Sequence, residues 1–320
     1  MGRSRRTALA LVLVAGVLAG CGGDDGGGEG EGGTTTLRVG VIPIADVAPL
    51  YLGMEKGFFE QRRLVLEPQL AEGGAAITPA VVSGDFQIGF SNTISLLIAA
   101  SRDLPVEIIS QGVLAGKTAD EAWADLLVPK DGPVQEPQDL EGKTIAVNTL
   151  NNICEVTIKA SLEEMGVDVA TLKFTEVPFP DMNAALDAGR VDGACVVEPF
   201  VTQGTSGNAM GIDPFYVNTA PDLTVATYFT SKSYAQENPD VVDRFVEAMN
   251  ESLEYAQEHP DEVRGVLQDY TEIPPEVAEN ITLPVWRADL NVPTIERLSE
   301  LSLQYGLIEE QPDLEELIRD

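Results

Sequence analysis

The chain has 320 residues, of which 52 are acidic and 20 are basic, so its formal net charge at pH 7 is −32. This charge repels phosphate backbones and anionic lipid, which excludes nucleic acid as a partner and a basic patch as a membrane attachment. The length exceeds one ordinary hydrophobic core and predicts two.

The N-terminus has the layout of a bacterial export signal. Three arginines among the first six residues precede the apolar run 8–19, which is too short to span a bilayer. Small residues before Cys21 match the lipobox of bacterial lipoproteins. We therefore interpret residues 1–20 as a lipoprotein signal peptide and Cys21 as the lipidated first residue of the mature chain. An ordinary secretory signal with an incidental cysteine is the alternative.

Residues 21–36 form a glycine-rich, acidic segment whose side chains cannot offset the entropy of ordering. We interpret this segment as a flexible tether, with the folded part starting near Leu37. The protein is then expected outside the cell, anchored by lipid to the outer face of the cytoplasmic membrane.

Two halves of the folded part begin in the same way. Residues 37–42 alternate as a strand does and lead through a loop into a helix at 49–59. Residues 143–147 form a second strand of this kind, followed by a helix that closes at Gly166. This repetition indicates a duplicated unit.

A second correspondence links residues 80–89 with residues 185–194. Each reads as the end of a helix, a glycine stop and a strand, and Gly84 and Gly189 have the position of a left-handed residue after a helix. Strands that alternate with helices predict an α/β fold of two lobes, each a mostly parallel sheet flanked by helices.

The last third of the sequence contains only helical patterns, and prolines mark their starts. The predicted helices are 241–257, 260–270, 274–280 and 293–305. Because no α/β alternation continues there, we expect them to pack back on the first lobe.

The chain is therefore predicted to cross between the lobes twice, near residues 112–128 and 225–235. The first lobe would comprise residues 37–115 and 232–320, and the second residues 116–231.

Ligands of open α/β sheets bind beyond the carboxyl ends of the strands. Four loops have that position, and they line one cleft if the two sheets face each other. These loops are 43–48, 91–93, 149–152 and 198–200.

Polar residues in two of these loops are candidate ligand contacts. Ser91, Asn92 and Thr93 precede an apolar helix, where they either cap backbone N–H groups or present that helix N-terminus to a ligand. Their position favours binding for Ser91 and Asn92. In the second half, Thr149, Asn151 and Asn152 occupy the equivalent place.

The charges in the loops favour one class of ligand. Asp46 and Glu198 are acidic, and no lysine or arginine occurs in any of the four loops. A carboxylate attracts ammonium groups and repels anions, so we expect a cationic, zwitterionic or neutral solute rather than nitrate or a simple sulfonate. The alternative is that Asp46 is solvated and Glu198 bonds backbone at a seam between the lobes.

Aromatic residues near the cleft could supply flat apolar contacts. Phe200 is the best candidate, whereas Tyr51 and Tyr228 also fit the core. Trp123 lies near a predicted crossing, where it would cover the cleft mouth or brace the hinge.

The sequence offers little for catalysis or metal binding. The single histidine, His259, lies at a predicted helix break far from the cleft loops. Cys154 and Cys195 are isolated from each other in sequence, which argues against a zinc site. Two buried thiols are the preferred interpretation of this pair. A disulfide is the alternative, because exported proteins fold in an oxidising environment.

Three segments in order carry a resemblance to a known family. Residues 48–60, 139–147 and 192–200 look like those of the type II periplasmic binding proteins that serve aliphatic sulfonates, nitrate, taurine and thiamine pyrimidines. The resemblance covers essentially the whole mature chain. It implies a Venus flytrap fold, and it places the loop 149–152 against ligand.

The resemblance also implies partners and a function. We expect a solute-binding protein of an ABC importer, a monomer without cofactor, metal or catalysis, that delivers its solute to a permease driven by an ATPase. Relatives that make a thiamine pyrimidine use a histidine and a cysteine cluster, and this sequence has neither. A surface-anchored sensor and a thiamine-pyrimidine-synthase-like enzyme remain the alternatives.

Overall fold

The computed structural model describes residues 33–319. The predicted signal peptide, the lipidation site Cys21 and most of the predicted tether lie outside the described residues. Within residues 33–319, no helix has the length and apolar character needed to cross a membrane.

Residues 33–319 contain ten strands and fourteen α-helices. The strands are β1 Thr35–Val41, β2 Leu64–Leu70, β3 Ile88–Asn92, β4 Val106–Leu114, β5 Ala124–Pro129, β6 Thr144–Val147, β7 Lys173–Glu176, β8 Gly193–Val197, β9 Ala209–Gly211 and β10 Thr224–Ser231. The helices are α1 Ala48–Glu55, α2 Phe58–Gln61, α3 Gly74–Ser83, α4 Thr93–Ser101, α5 Ile153–Glu164, α6 Phe179–Asp187, α7 Phe200–Ser206, α8 Phe215–Thr219, α9 Lys232–Glu237, α10 Pro239–Glu258, α11 Pro260–Val266, α12 Pro275–Ala278, α13 Val292–Gln304 and α14 Leu314–Leu317.

The strands form two five-stranded sheets with equivalent strand orders. The first sheet has the order β2-β1-β3-β10-β4, and the second has the order β7-β6-β8-β5-β9. In each sheet, four strands run in one direction and the fourth in the order runs against them. We call the first sheet with its helices lobe 1 and the second lobe 2. The predicted mostly parallel two-lobed α/β fold is confirmed.

The antiparallel strand of each sheet is next to a crossing between the lobes. The chain leaves lobe 1 after Leu114 and enters lobe 2 at Ala124, inside the interval predicted for the first crossing. It returns between Thr219 and Thr224, earlier than the predicted crossing at 225–235. Residues 224–231 therefore belong to the sheet of lobe 1, and their prediction as part of the second lobe is wrong.

Burial explains why β10 is difficult to recognise in the sequence. All eight of its residues are buried, because β10 lies between β3 and β4 in a sheet covered on both faces. Such a strand lacks the alternation of apolar and polar residues that marks a half-exposed strand.

The glycine stops have the predicted geometry. Gly84 has a φ of 84° at the end of α3, and Gly189 has a φ of 64° just after α6. A side chain at either residue would be strained, because its φ is positive. A steric clash adds nothing, since no heavy atom of the described residues other than the chain neighbours lies within 4 Å of the added Cβ.

The last third of the chain covers lobe 1, as the sequence predicts. Helix α10 starts at a proline and buries residues spaced three or four apart, including Val241, Phe245 and Met249, against α1 and β4. Helix α13 packs on α4 and also contacts α5 of lobe 2.

The two cysteines of lobe 2 form a disulfide, which corrects the preferred interpretation of two thiols. Cys154 in α5 and Cys195 in β8 have Cα atoms 6.0 Å apart, although 41 positions separate them in sequence. The packing of α5 on the sheet decides this distance, and sequence spacing does not report it.

Candidate ligand-binding site

Strand ends and loops of both lobes enclose one small cavity of about 30 Å³. Its walls combine the loop after β1 and the ends of β3 and β10 in lobe 1 with residues of lobe 2. The lining residues are Ile42, Ile44, Asp46, Phe90, Asn92, Asn148, Ile153, Phe179, Val197, Tyr216, Val225 and Ala226. The two sheets therefore present their strand ends to a shared space.

Asp46 is the acidic residue of this lining. It lies in a single 3-10 turn, Ala45–Val47, that follows β1, and the Trp286 indole donates a hydrogen bond to its carbonyl oxygen at 3.2 Å. The side chain is 3% exposed, and within residues 33–319 its Oδ1 has no hydrogen-bond partner. Burial raises the pKa of the Asp46 carboxyl to about 8, and a hydrogen bond from its own backbone N–H opposes this shift.

Three buried tyrosines lie near Asp46, and none of them carries a positive charge. Burial raises the pKa of Tyr216, Tyr228 and Tyr270 well above the ordinary value, and in each case the nearby Asp46 adds to the shift. The Tyr228 hydroxyl has no hydrogen-bond partner in the described part of the chain. Tyr51 stacks on Tyr270 with ring centroids 4.0 Å apart. The carboxyl group therefore lies among neutral, largely aromatic groups.

Asn148 joins the two lobes at the cavity. Its Nδ2 donates to the Glu72 carbonyl of lobe 1 at 3.3 Å, and its Oδ1 accepts from Asn152 Nδ2 at 2.7 Å. Asn152 in turn caps α5 by accepting from the backbone N–H of Cys154. A network at the start of α5 thus holds the amide of Asn148 against lobe 1.

The three polar residues predicted after β3 have different positions. Asn92 lines the cavity and also caps α4, where its Oδ1 accepts from Ser95 N at 2.9 Å. Ser91 donates to the Asn92 carbonyl, and Thr93 donates to the Thr224 carbonyl at 2.6 Å. Only Asn92 of these three reaches the cavity, because backbone groups engage the other two hydroxyls.

The polar residues predicted in the loop after β6 also lie beside the cavity rather than in its lining. Thr149 accepts a hydrogen bond from Asn152 at 3.1 Å. Asn151 is exposed, with a φ of 53°, and its backbone N–H bonds Glu155. The loop reaches the cavity through Asn148, which directly follows β6.

Glu198 lies at a seam between the lobes and not in the cavity lining. Its carboxylate accepts hydrogen bonds from the Thr202 hydroxyl at 2.7 Å, from Thr202 N, and from Thr282 N of lobe 1. Its carbonyl accepts from Ala45 N at 3.0 Å. Burial raises the pKa of Glu198 to about 7, and these three donors oppose the shift. The structure thus agrees with the backbone-bonding alternative for Glu198.

Phe200 starts α7 and is buried in the core of lobe 2, outside the cavity lining. Phe90 and Phe179 provide aromatic walls instead. Phe90 immediately precedes the predicted loop 91–93. The strand-end rule, by which ligands bind in the loops beyond the carboxyl ends of strands, therefore misses it by one residue. Tyr216 enters the site from α8, and no pattern in the sequence points to it.

The cavity lining is mostly apolar and includes one carboxyl group. Of the described residues that line the cavity, none is a lysine or arginine. Among residues 33–319, no group of three or more His, Cys, Asp or Glu side chains is arranged to hold a metal ion.

A model of the NMT1/THI5-like family matches residues 44–263 of this sequence. The chain belongs to the NMT1/THI5-like family. The matched range includes every residue that lines the cavity except Ile42.

Relatives of this NMT1/THI5-like chain include binding proteins. The taurine-binding periplasmic protein of Escherichia coli strain K12 is 29% identical over 177 residues, or 55% of this chain and 53% of that protein. The putative aliphatic sulfonates-binding protein of Bacillus subtilis strain 168 is 25% identical over 290 residues, or 85% and 80%. The match to the taurine-binding relative therefore spans about half of that protein's length.

Another relative of the NMT1/THI5-like chain is an enzyme, and a solved structure shares its fold. The 4-amino-5-hydroxymethyl-2-methylpyrimidine phosphate synthase of Aspergillus parasiticus is 33% identical over 102 residues, or 31% of this chain and 27% of the enzyme. The ligand binding component of an ABC-type import system from Staphylococcus aureus superposes with a TM-score of 0.77 at 14% identity, covering 89% of this chain and 96% of that one. These results confirm the predicted family and fold.

Proposed function

We propose that this chain is the extracytoplasmic solute-binding component of an ABC importer, which captures a small polar organic solute between its lobes for delivery to a permease. One observation carries the proposal: both lobes contribute walls to a single buried cavity. A solute held in that way is released only when the lobes separate, so binding and lobe closure are coupled. The taurine-binding and sulfonates-binding relatives support the same function.

The contacts between the lobes indicate how closure would work. The hydrogen bonds from Asn148 to Glu72 and from Thr282 to Glu198 break when the lobes part. The two crossings act as the hinge. Trp123 lies in the first crossing, where its indole donates to the Leu114 carbonyl at 2.9 Å and braces the chain.

The location of the protein is part of the proposal. Lipid on Cys21 would hold the chain at the outer face of the cytoplasmic membrane, and residues 21–36 would let the folded part, acting as a monomer, reach a permease and its ATPase. Mass spectrometry of the membrane-extracted protein tests this, since a diacylated Cys21 is the expected first residue. Release of unmodified protein into the medium would contradict the anchor.

We propose binding without turnover. Asp46 and Tyr216 are the titratable side chains among the described residues that line the cavity, and burial keeps Tyr216 protonated. A pyrimidine-synthase-like reaction predicts a chemically altered ligand, whereas a binding protein returns it unchanged. Mass spectrometry of the recovered ligand separates these two outcomes.

The experiment that tests the binding function is a thermal-shift and calorimetry panel on the purified protein. The panel includes amines, taurine, alkyl sulfonates, nitrate and thiamine pyrimidines. A solute at 100 times its Kd should stabilise the protein by about 2.7 kcal/mol. Failure of every class to bind would contradict the proposal.

A variant pair links binding to the cavity. Asn148→Ala removes an amide that lines the cavity and bridges the lobes, so the affinity for any bound solute should fall by about 10-fold. Asn208→Ala is the matched control, because Asn208 is an exposed residue of the same lobe outside the lining. Equal affinities of the two variants would argue against the cavity.

Co-purification with a permease rather than with a membrane kinase distinguishes import from sensing.

A further inference from the structure

Resting on the proposed function, we propose that the cleft binds an organic cation with an apolar arm, with a protonated amine against Asp46 and the arm in an apolar vestibule between the lobes. The proposal names the substrate class of the site. It depends on three observations, which concern the buried carboxyl group, the charges of the lining and the shape of the space outside the cavity.

The buried carboxyl group is an acceptor that lacks a donor. Asp46 is 3% exposed, lines the cavity, and keeps one oxygen without a hydrogen-bond partner within residues 33–319. The cavity of about 30 Å³ has room for about two water molecules, which is close to the size of a primary ammonium group and its first methylene. Phe90 and Tyr216 in the walls add aromatic surface, which favours a cation over a neutral group.

The lining has charges of one sign. Asp46, Glu72 and Asp181 are the charged residues among the described residues that line the cavity or the adjoining vestibule. A sulfonate or nitrate ion would meet the acidic side chains of Glu72 and Asp181 in the vestibule and no lysine or arginine in either space, so the lining supplies no counter-charge for an anion. A cation meets the opposite field.

The vestibule is an apolar space of about 330 Å³ that adjoins the cavity. Ile42, Ile44 and Phe179 line both spaces, so the residues that the two spaces share are apolar. Leu70 of lobe 1 and Pro178 of lobe 2 both line the vestibule, and Leu70 is 59% exposed. An aliphatic arm in the vestibule would cover Leu70.

The electrostatics of the carboxyl group support the same ligand. Burial raises the pKa of Asp46 to about 8, and its neighbours Tyr216, Tyr228 and Tyr270 are neutral. A cation that enters the cavity supplies the missing counter-charge, so the desolvation of the carboxylate is offset in the complex.

The experiment is a calorimetric series on the full protein with linear alkylammonium ions from propyl to octyl, and with length-matched alcohols and alkyl sulfonates. The amines should bind, the alcohols should bind at least about 10-fold more weakly, and the sulfonates should not bind. Each added methylene should tighten amine binding by about fourfold until the vestibule is full.

Three variants localise the two ends of the ligand. Asp46→Asn should weaken amine binding by about 10- to 100-fold, because a charge-assisted hydrogen bond is lost. Asp187→Asn, at an exposed site on α6 outside the cleft, is the matched control and should bind like the parent protein. Leu70→Asn should reduce the gain per methylene and leave propylammonium affinity unchanged.

The outcomes separate this inference from the function on which it rests. Tighter binding of a sulfonate than of the amine of equal length would overturn the inference and leave the solute-binding function intact. Amine affinities that do not change with arm length, or that survive Asp46→Asn, would also overturn it. If no solute of any class binds, the solute-binding function itself fails.

Discussion

Replacing Asp46 with asparagine should make the ligand-free protein more stable at neutral pH, although the same change weakens binding. The carboxyl group titrates with a pKa of about 8 in the folded protein and 3.8 in the unfolded chain. Because the folded pKa is the higher one, the stability contribution of the protonated group is fully present below pH 3.8. It is lost as the pH rises towards 8 and is constant above that value.

The magnitude follows from the difference between the two pKa values. In the unfolded chain the Asp46 carboxyl ionises above pH 3.8, so at pH 7 its ionisation has stabilised the unfolded state over 3.2 pH units, since 7 minus 3.8 is 3.2. At about 1.4 kcal/mol per unit, the carboxyl group lowers the free energy of unfolding by about 4 kcal/mol relative to a neutral isostere. Water that enters the cavity would hydrate the carboxylate, so this figure is an upper value.

Urea unfolding from pH 4 to 9 measures this effect. Trp123 and Trp286 are both buried and report the transition by fluorescence. The variant and the parent protein should have nearly equal stability at pH 4, and their difference should grow to a plateau above pH 8. Asp187→Asn should show no such difference at any pH, because the residue is exposed. A variant that is less stable than the parent at pH 7 would mean that Asp46 is ionised and paired in the folded protein.

Three further predictions follow from the packing and the site. The double variant Cys154→Ala/Cys195→Ala should lower the free energy of unfolding by about 4 kcal/mol, the entropic value for a closed loop of 41 residues. The reduced parent protein should show the same loss of stability in urea titrations. A urea midpoint that does not change in the variant would refute this value. Gly53→Ala places a Cβ against the Ser252 side chain and should cost about 1 to 3 kcal/mol, whereas Gly265→Ala, with no heavy atom of the described residues near the new Cβ, should be neutral or stabilising in the same assay. Binding of an organic cation at pH 7 should release nearly one proton from the Asp46 carboxyl, which calorimetry in two buffers of different ionisation heat detects; a heat that does not depend on the buffer would speak against a charge pair.

Much of the architecture follows from local sequence patterns. The strand at 143–147, the glycine stops and the helices of the last third are present close to their predicted bounds. Each depends on periodicity or turn chemistry within a window of a few residues, so the sequence alone determines them. The helix predicted at 49–59 is two helices separated by Gly57. The apolar periodicity continues across this break, so the sequence pattern predicts a single helix.

The site is only partly predictable, because the strand-end rule gives a loop but not the side chain that reaches the cavity. Asp46 and Asn92 line the cavity, whereas Glu198 bonds Thr282 and Phe200 packs in the core of lobe 2. A shift of one residue exchanges a cavity-lining residue for one beside the cavity, since Asn148 lines the cavity and Thr149 does not. The preference for a cationic, zwitterionic or neutral solute stays a prediction, which depends on the composition of all the loops and not on one position.

The sequence by itself determined the duplicated α/β architecture, the acidic cleft loops and the family. Only the tertiary structure decided that β10 completes the sheet of lobe 1, that Cys154 meets Cys195, and that Tyr216 faces Asp46. These pairings join residues 41 to 170 positions apart, since 216 minus 46 is 170. The physical reason is that local propensity acts over a few residues, whereas packing of helices and sheets selects which distant side chains share one cavity.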